Sequence, residues 1–324
     1  ILKPLKGCDT ETEACLRTWL EQDYPGAVQI LFGVASEDDP AVDLVRNRLK
    51  SDVIVCPEAL GPNAKVSTLA QLEPLIQHEL VIISDADVAV PKDFLKHVAA
   101  FFEAERPALA SCLYRLSGAT NLPMRFEAFI VNSDFWSQVL QSIALGPMKF
   151  ALGAAMIITR AELAALGGFR SIVDYLADDF QLGNRATGKV ALCTMVVECR
   201  SSPMSWRQVW THQVRWARTI RVCQPTPFFF SILSNPTIWP LAWALAGAWL
   251  PALVMIVLRS LGGAALEFRF TRKFHASSII LAPFSDILRT AFWLLAFAGN
   301  RIYWGGRWFR VSPGGKLTPE ATGG

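Results

Sequence analysis

Charge is scarce in this sequence. Only 18% of its 324 residues are Asp, Glu, Lys or Arg, against about a quarter in an ordinary soluble domain. With 52% apolar residues, general disorder is excluded and contact with lipid is expected for part of the chain. The 31 basic and 28 acidic residues leave a net charge of +3, which lacks the dense basic face that nucleic acid demands. Seven cysteines include no CxxC pair, so they read as reduced, mostly buried thiols in a cytosol-facing protein. There is no GxxxxGK[ST] and no GxGxxG after the first strand-like run, which removes the P-loop and dinucleotide readings. GxSxG and HExxH are missing too, and hydrolysis by those routes goes with them.

What is present reads as two regions. The length allows one large domain or two ordinary ones at about 150 residues each. Up to about residue 220, short apolar runs (1–5, 28–35, 53–56, 80–84, 108–113 and 190–197) alternate with helix-like stretches (11–22, 41–49, 67–77, 91–104 and 161–166). That alternation predicts an α/β domain with a largely parallel sheet, whose ligands bind beyond the carboxyl ends of the strands. From residue 221 to 324 a membrane-associated region is expected. Residues 237–258 carry no charge, and 22 residues at 1.5 Å each make about 33 Å, enough to cross a bilayer core. A second stretch, 279–298, contains Asp286 and Arg289, three apart on one helix face and able to pair; it reads as a second span or a re-entrant helix. Residues 228–233 read as interfacial. Basic residues lie on both sides of the first span and do not set its orientation. The chain opens at Ile1 directly as a strand with no signal peptide, so a further N-terminal segment is expected upstream.

Four groups carry candidate chemistry. Asp85 and Asp87, in Ser84-Asp85-Ala86-Asp87 after the run VIIS, can share Mg²⁺ or Mn²⁺ and leave positions open for phosphate oxygens. In Glu37-Asp38-Asp39-Pro40, Asp39 reads as a helix N-cap with Pro40 at the first helical position, and its carboxylate is also placed to accept from a base or sugar hydroxyl. Asp178 and Asp179 are adjacent carboxylates whose repulsion should raise one pKa and make that group a general base, although charged decoration of a helix start explains them too. Finally, His212-Gln213-Val214-Arg215-Trp216 lies in a basic, aromatic helix. There Arg215 and Arg218 can face one polyanion and Trp216 offers a stacking surface, or the segment is a membrane-interface belt.

In this order the motifs resemble glycosyltransferases of the GT-A fold, and within them family 21, the ceramide glucosyltransferases and their bacterial relatives of hopanoid biosynthesis. The matching stretches are LKPLKG, DDPAVD, Gly61-Pro62-Asn63-Ala64-Lys65-Val66, the DAD, the ADDF and RWARTIR, spread over nearly the whole chain. The resemblance implies an α/β GT-A domain followed by membrane helices. It implies a UDP-sugar donor (UDP-glucose or UDP-N-acetylglucosamine) and a lipid acceptor, ceramide or hopanoid. Asp39 would contact the nucleotide, Lys65 assist the donor, and Asp85 and Asp87 sit at the sugar diphosphate with a divalent cation. Asp179 would be the base, and Arg215 and Trp216 would close over the pyrophosphate. One base with in-line attack implies inversion. His212 stands where the ceramide enzymes have Arg and processive synthases Gln, which disfavours a polysaccharide synthase. Asp178 replaces Glu. The acceptor-lipid contacts are expected in residues 121–142. By this reading the protein is integral to a membrane, in a bacterial inner membrane, with its catalytic face cytosolic. From a different class, a catalytically silent nucleotide-sugar-binding membrane scaffold is the alternative.

Overall fold

The computed structural model describes residues 1–320, and the chain forms two compact units. The first comprises Ile1–Gly118 and Ser142–Ser202, with Lys316–Thr318; the second is built mainly of Ala119–Gln141 and Pro203–Gly315.

The first unit is an eight-stranded sheet of β1 (Leu2–Leu5), β2 (Leu31–Val34), β3 (Val53–Val55), β4 (Leu80–Ser84), β5 (Val88–Ala89), β6 (Leu109–Leu116), β7 (Ala155–Thr159) and β8 (Val190–Cys199), in the order β3-β2-β1-β4-β7-β6-β8-β5. Strands β1 to β4 pair in parallel, as do β6 and β8. The expected largely parallel sheet is corrected to a mixed one: β7 runs antiparallel to both its neighbours, and β5 runs antiparallel to β8. β7 is the run AMIIT, a strand whose direction no local pattern announces.

Alternation along the central strands covers both faces. Val81, Ile83, Met156 and Ile158 join one core with Val66, Leu69, Leu72, Leu163 and Phe169. Ile82, Ile157 and Ala110 join another with Trp19, Phe94, Val98 and Phe102. A strand buried on both sides reads as a continuous apolar run, which is why 80–84 is so apolar. The parallel set β2-β1-β4 brings three carboxyl ends to one edge, and antiparallel β7 begins there, with Ala155 opposite Ser84. The acidic motifs follow those ends.

The second unit is mainly helical and adds an antiparallel strand pair, Arg301–Trp304 with Arg307–Val311. Asn121 caps a helix at Leu122–Phe129, accepting from the Met124 N–H at 3.0 Å; a π-helical segment Ile130–Phe135 and a helix Trp136–Leu145 continue it. Helices Trp249–Thr271 and Ser277–Phe297 are long and apolar enough to cross a membrane, with mean hydropathies of 1.7 and 1.5. The single span expected at 237–258 is divided between two helices: Ile238–Leu245 stops, Gly247 turns with φ +85°, and the long helix starts at Trp249. Helices Pro225–Ser234 and Ile238–Leu245 meet at a bend of 50°, the geometry of a broken span or a re-entrant loop.

Charges within these apolar helices are matched by distant partners. Asp286, fully buried, accepts from Arg259 Nε and Thr237 Oγ1 at 2.8 and 2.6 Å. Arg259 also holds Asp134 at 2.8 Å, and Arg289 reaches Asp134 at 3.1 Å. The expected Asp286–Arg289 pair is therefore replaced by a four-membered cluster. A lone buried charge costs several kcal/mol, about what a helical i,i+3 pair cannot return. Similarly Arg125 forms two bonds with buried Glu267, at 2.7 and 2.6 Å.

Candidate active site

Around the ends of β1, β2 and β4 the sequence-predicted acids fall into two arrangements. Asp39 follows β2 and caps the short helix Pro40–Asp43, with Pro40 in the first turn as expected; its Oδ1 accepts from the Ala41 N–H at 2.9 Å. Both carboxylate oxygens also accept from the Gly7 N–H, at 2.9 and 3.0 Å. Asp39 thus ties the loop after β1 to the loop after β2. Asp38 is exposed.

The second arrangement is centred on Lys65. Asn63 caps the helix Ala64–Leu72 by accepting from the Val66 N–H at 3.1 Å and donates to the Tyr175 carbonyl at 2.7 Å. This anchors the motif residue Lys65 in the first turn, where its Nζ lies 2.7 Å from Asp85 and 2.9 Å from Asp178. Burial works against that ammonium, but Asp178 and Asp85 outweigh it and hold its pKa above the ordinary lysine range. Lys65 therefore stays charged at any working pH.

Asp178 and Asp179 open the helix Asp178–Arg185. The Asp179 carboxylate accepts from the Phe180 N–H at 2.7 Å. Enclosure, then the charge of Asp178, push its pKa up from 3.8 to about 6. The fold makes room for it with a glycine: a Cβ on Gly153, just before β7, would sit 3.1 Å from Asp179 Oδ2. Gly183 on the same helix packs against the Phe150 and Ala151 backbone, where a Cβ would collide. Gly183→Ala is expected to cost about 1–3 kcal/mol and to lower activity as the helix carrying Asp179 is displaced; thermal unfolding and turnover of the purified variant check it.

The DAD turn is held from behind by residues that sequence reasoning did not assign. Lys3 on β1 is completely buried, donates to Ser84 Oγ and the Asp85 carbonyl at 3.1 and 2.7 Å, and lies 4.3 Å from the Trp19 ring centre. Burial lowers its pKa to about 7, against the opposing charges of Asp85 and Asp87. The signal was a lysine inside the strand ILKPL. The Arg200 N–H donates to the Asp87 carbonyl at 2.9 Å, at the end of β8. Asp87 itself is pushed up to about 6 by enclosure and then by Asp85.

Asp85 and Asp87 offer hard oxygen donors of the kind that Mg²⁺ or Mn²⁺ takes, although the Lys65 ammonium already lies 2.7 Å from Asp85. Among the described residues no group of three or more His, Cys, Asp or Glu could hold a metal by itself.

His212, Arg215 and Trp216 lie in the second unit, on the helix Trp206–Cys223, which opens with a capping box between Ser205 and Gln208. His212 Nδ1 meets the buried Glu127 Oε1 at 2.7 Å, and its ring lies edge-on to Trp216 with centroids 4.5 Å apart. Arg218 donates to the backbone carbonyls of Arg301 and Leu295. All seven cysteines are free thiols, with Cys8 exposed and Cys15, Cys56, Cys112 and Cys193 buried.

The chain resembles a ceramide glucosyltransferase of Caenorhabditis elegans, 22% identical over 196 residues, covering 58% of this chain and 42% of that protein. It also resembles a beta-monoglucosyldiacylglycerol synthase of Trichormus variabilis, 26% identical over 167 residues, covering 49% and 34%. It therefore spans less than half the length of these relatives. Among solved structures, a mannosyltransferase of Pyrobaculum calidifontis, in complex with GDP-Man and Mn²⁺, superposes with a TM-score of 0.55 at 20% identity over 92% of this chain and 85% of that one. The fold is the mixed α/β GT-A type. The model of glycosyl transferase family 21 matches residues 1–317, and the chain belongs to that family.

Proposed function

We propose that the protein is a membrane-bound, inverting transferase that moves one hexosyl unit from a UDP-sugar to a lipid hydroxyl. The observation that carries the reading is Asp179: an enclosed carboxylate with a pKa near 6, beside the Lys65 ammonium that ties Asp178 to the DAD turn. In the step, the acceptor oxygen attacks the anomeric carbon as Asp179 takes its proton. The bond from that carbon to the diphosphate oxygen breaks, and UDP leaves with the electron pair. A divalent cation at Asp85 and Asp87, when bound, supplies charge neutralisation for the diphosphate. Lys65 stabilises the same region as a fixed cation, Asp39 receives the nucleotide, and Arg215 and Trp216 serve the pyrophosphate.

The lipid nature of the acceptor draws support from the relatives named above, one a ceramide glucosyltransferase and one a diacylglycerol glycolipid synthase, and from the two apolar helices. Because UDP-sugars are cytosolic, the catalytic face is assigned to the cytosol and, in a bacterium, the protein to the inner membrane. The reading is tested by following UDP release from UDP-glucose and UDP-N-acetylglucosamine in nanodiscs with ceramide, diacylglycerol or a hopanoid polyol. Release that depends on one of these lipids supports it; release that no lipid stimulates contradicts it. The base must be unprotonated to act, so kcat is expected to fall as pH drops through about 6, the value for Asp179, and to be flat above it. A pH profile at saturating metal and donor reads this directly.

A further inference from the structure

The helix bearing His212, Arg215 and Trp216 is fastened by a residue far away in the chain. Glu127, in the helix Leu122–Phe129, is 1% exposed. One of its oxygens, Oε1, receives both His212 Nδ1 at 2.7 Å and Gln213 Nε2 at 2.9 Å. A carboxylate oxygen only accepts, so the His212 proton sits on Nδ1. The ring is thereby fixed in one orientation, at 61° to the plane of the Trp216 ring. On the other side Trp216 meets Phe135 at 6.4 Å between ring centres. Phe126 and Phe129, on the helix that carries Glu127, and Val209, one turn before Gln213, belong to one buried apolar cluster with Leu281 and Phe292, so an unpaired Glu127 beside it would be costly.

A buried carboxylate in a largely apolar helix is expensive, and packing does not require one at this position. We propose that Glu127 is a positioning residue for sugar transfer: through His212 it sets the angle at which Trp216 is presented. The inference rests on the transferase reading only for its catalytic consequence; the mechanical link stands by itself.

The test uses Glu127→Leu and Glu127→Gln in the full chain. Glutamine keeps an Oε1 that can accept from both donors, whereas leucine fills similar space and accepts from neither. Hydroxyl-radical footprinting, read at Trp216 by peptide mass spectrometry, is expected to show faster oxidation in E127L and wild-type protection in E127Q. In turnover, E127L is expected to lose about 10²-fold in kcat, the usual cost of a group misplaced by an ångström, with E127Q largely restored. Should E127L fail to fold, His212→Phe keeps an aromatic edge but cannot bond Glu127, and the same exposure of Trp216 is expected. Unchanged Trp216 oxidation in the folded variant, or an E127Q as impaired as E127L, overturns the proposal. A wild type that transfers no sugar defeats the functional reading instead, and the footprint still decides the link.

Discussion

Asp179→Asn is expected to abolish sugar transfer, by about 10³-fold or more as for loss of a general base, while UDP binding is kept. The same substitution should not weaken the fold. The sign follows from the raised pKa: between 3.8 and about 6 the folded chain holds a proton on Asp179 that the unfolded chain releases. Stability from this group is therefore lost as pH rises through that window, and above it the carboxylate is a net cost. Asparagine removes that cost, so the variant should unfold at the same temperature as wild type or higher at neutral pH. Calorimetric titration with UDP, thermal unfolding at pH 5 and 7.5, and turnover, measured on one preparation, check all three parts. An inactive variant that is also destabilised would mean that Asp179 holds structure and does not act as the base.

The opposite balance is expected at Lys65. Its ammonium separates Asp85 from Asp178, whose side chain is only 11% exposed. Lys65→Met leaves the enclosed Asp178 carboxylate without its cation and facing the partly exposed Asp85, at a cost of about 1–3 kcal/mol for a buried charged acceptor that loses its partner. Transfer is expected to be lost with it. The double variant Lys65→Met with Asp178→Asn removes the stranded charge and should recover most of the stability without recovering activity. Denaturant midpoints of the single and double variants, set beside turnover, separate the two roles. Equal loss of stability in both would show that Lys65 contributes packing rather than charge.

Much of this site could be read from the chain because its parts follow strand ends. A fully apolar run such as VIIS can only be an interior strand, so the acids after it had to lie at the sheet edge. Asp39 followed by Pro40 announced its own cap. The readings that failed were those where a distant residue overrides a local pattern. The i,i+3 spacing of Asp286 and Arg289 suggested a pair, but Arg259 and Asp134, 27 and 155 positions from those partners in the chain, claim both groups. Residues 237–258 are charge-free, yet the backbone turns at Gly247, and composition cannot register a turn made by one dihedral angle. Helix Trp249–Thr271 runs on through Arg259 because that charge is neutralised in three dimensions. Lys3 and Glu127 escaped notice for a related reason. Each is a charged residue in an apolar segment, and only its partners, Ser84 and Asp85 in one case and His212 and Gln213 in the other, show why it is there.

The central claim is that Asp179 drives transfer of a single sugar from a nucleotide donor to a lipid. The most direct measurement is lipid mass spectrometry after incubating the chain in membranes with UDP-[¹³C]glucose or labelled UDP-N-acetylglucosamine, with Asp179→Asn in parallel. One labelled hexosyl or N-acetylhexosaminyl unit on a lipid in the wild type, and none in the variant, is the predicted result. Labelled lipid formed equally by both, or by neither while UDP-sugar still binds, would contradict it, the second outcome leaving a silent nucleotide-sugar-binding scaffold.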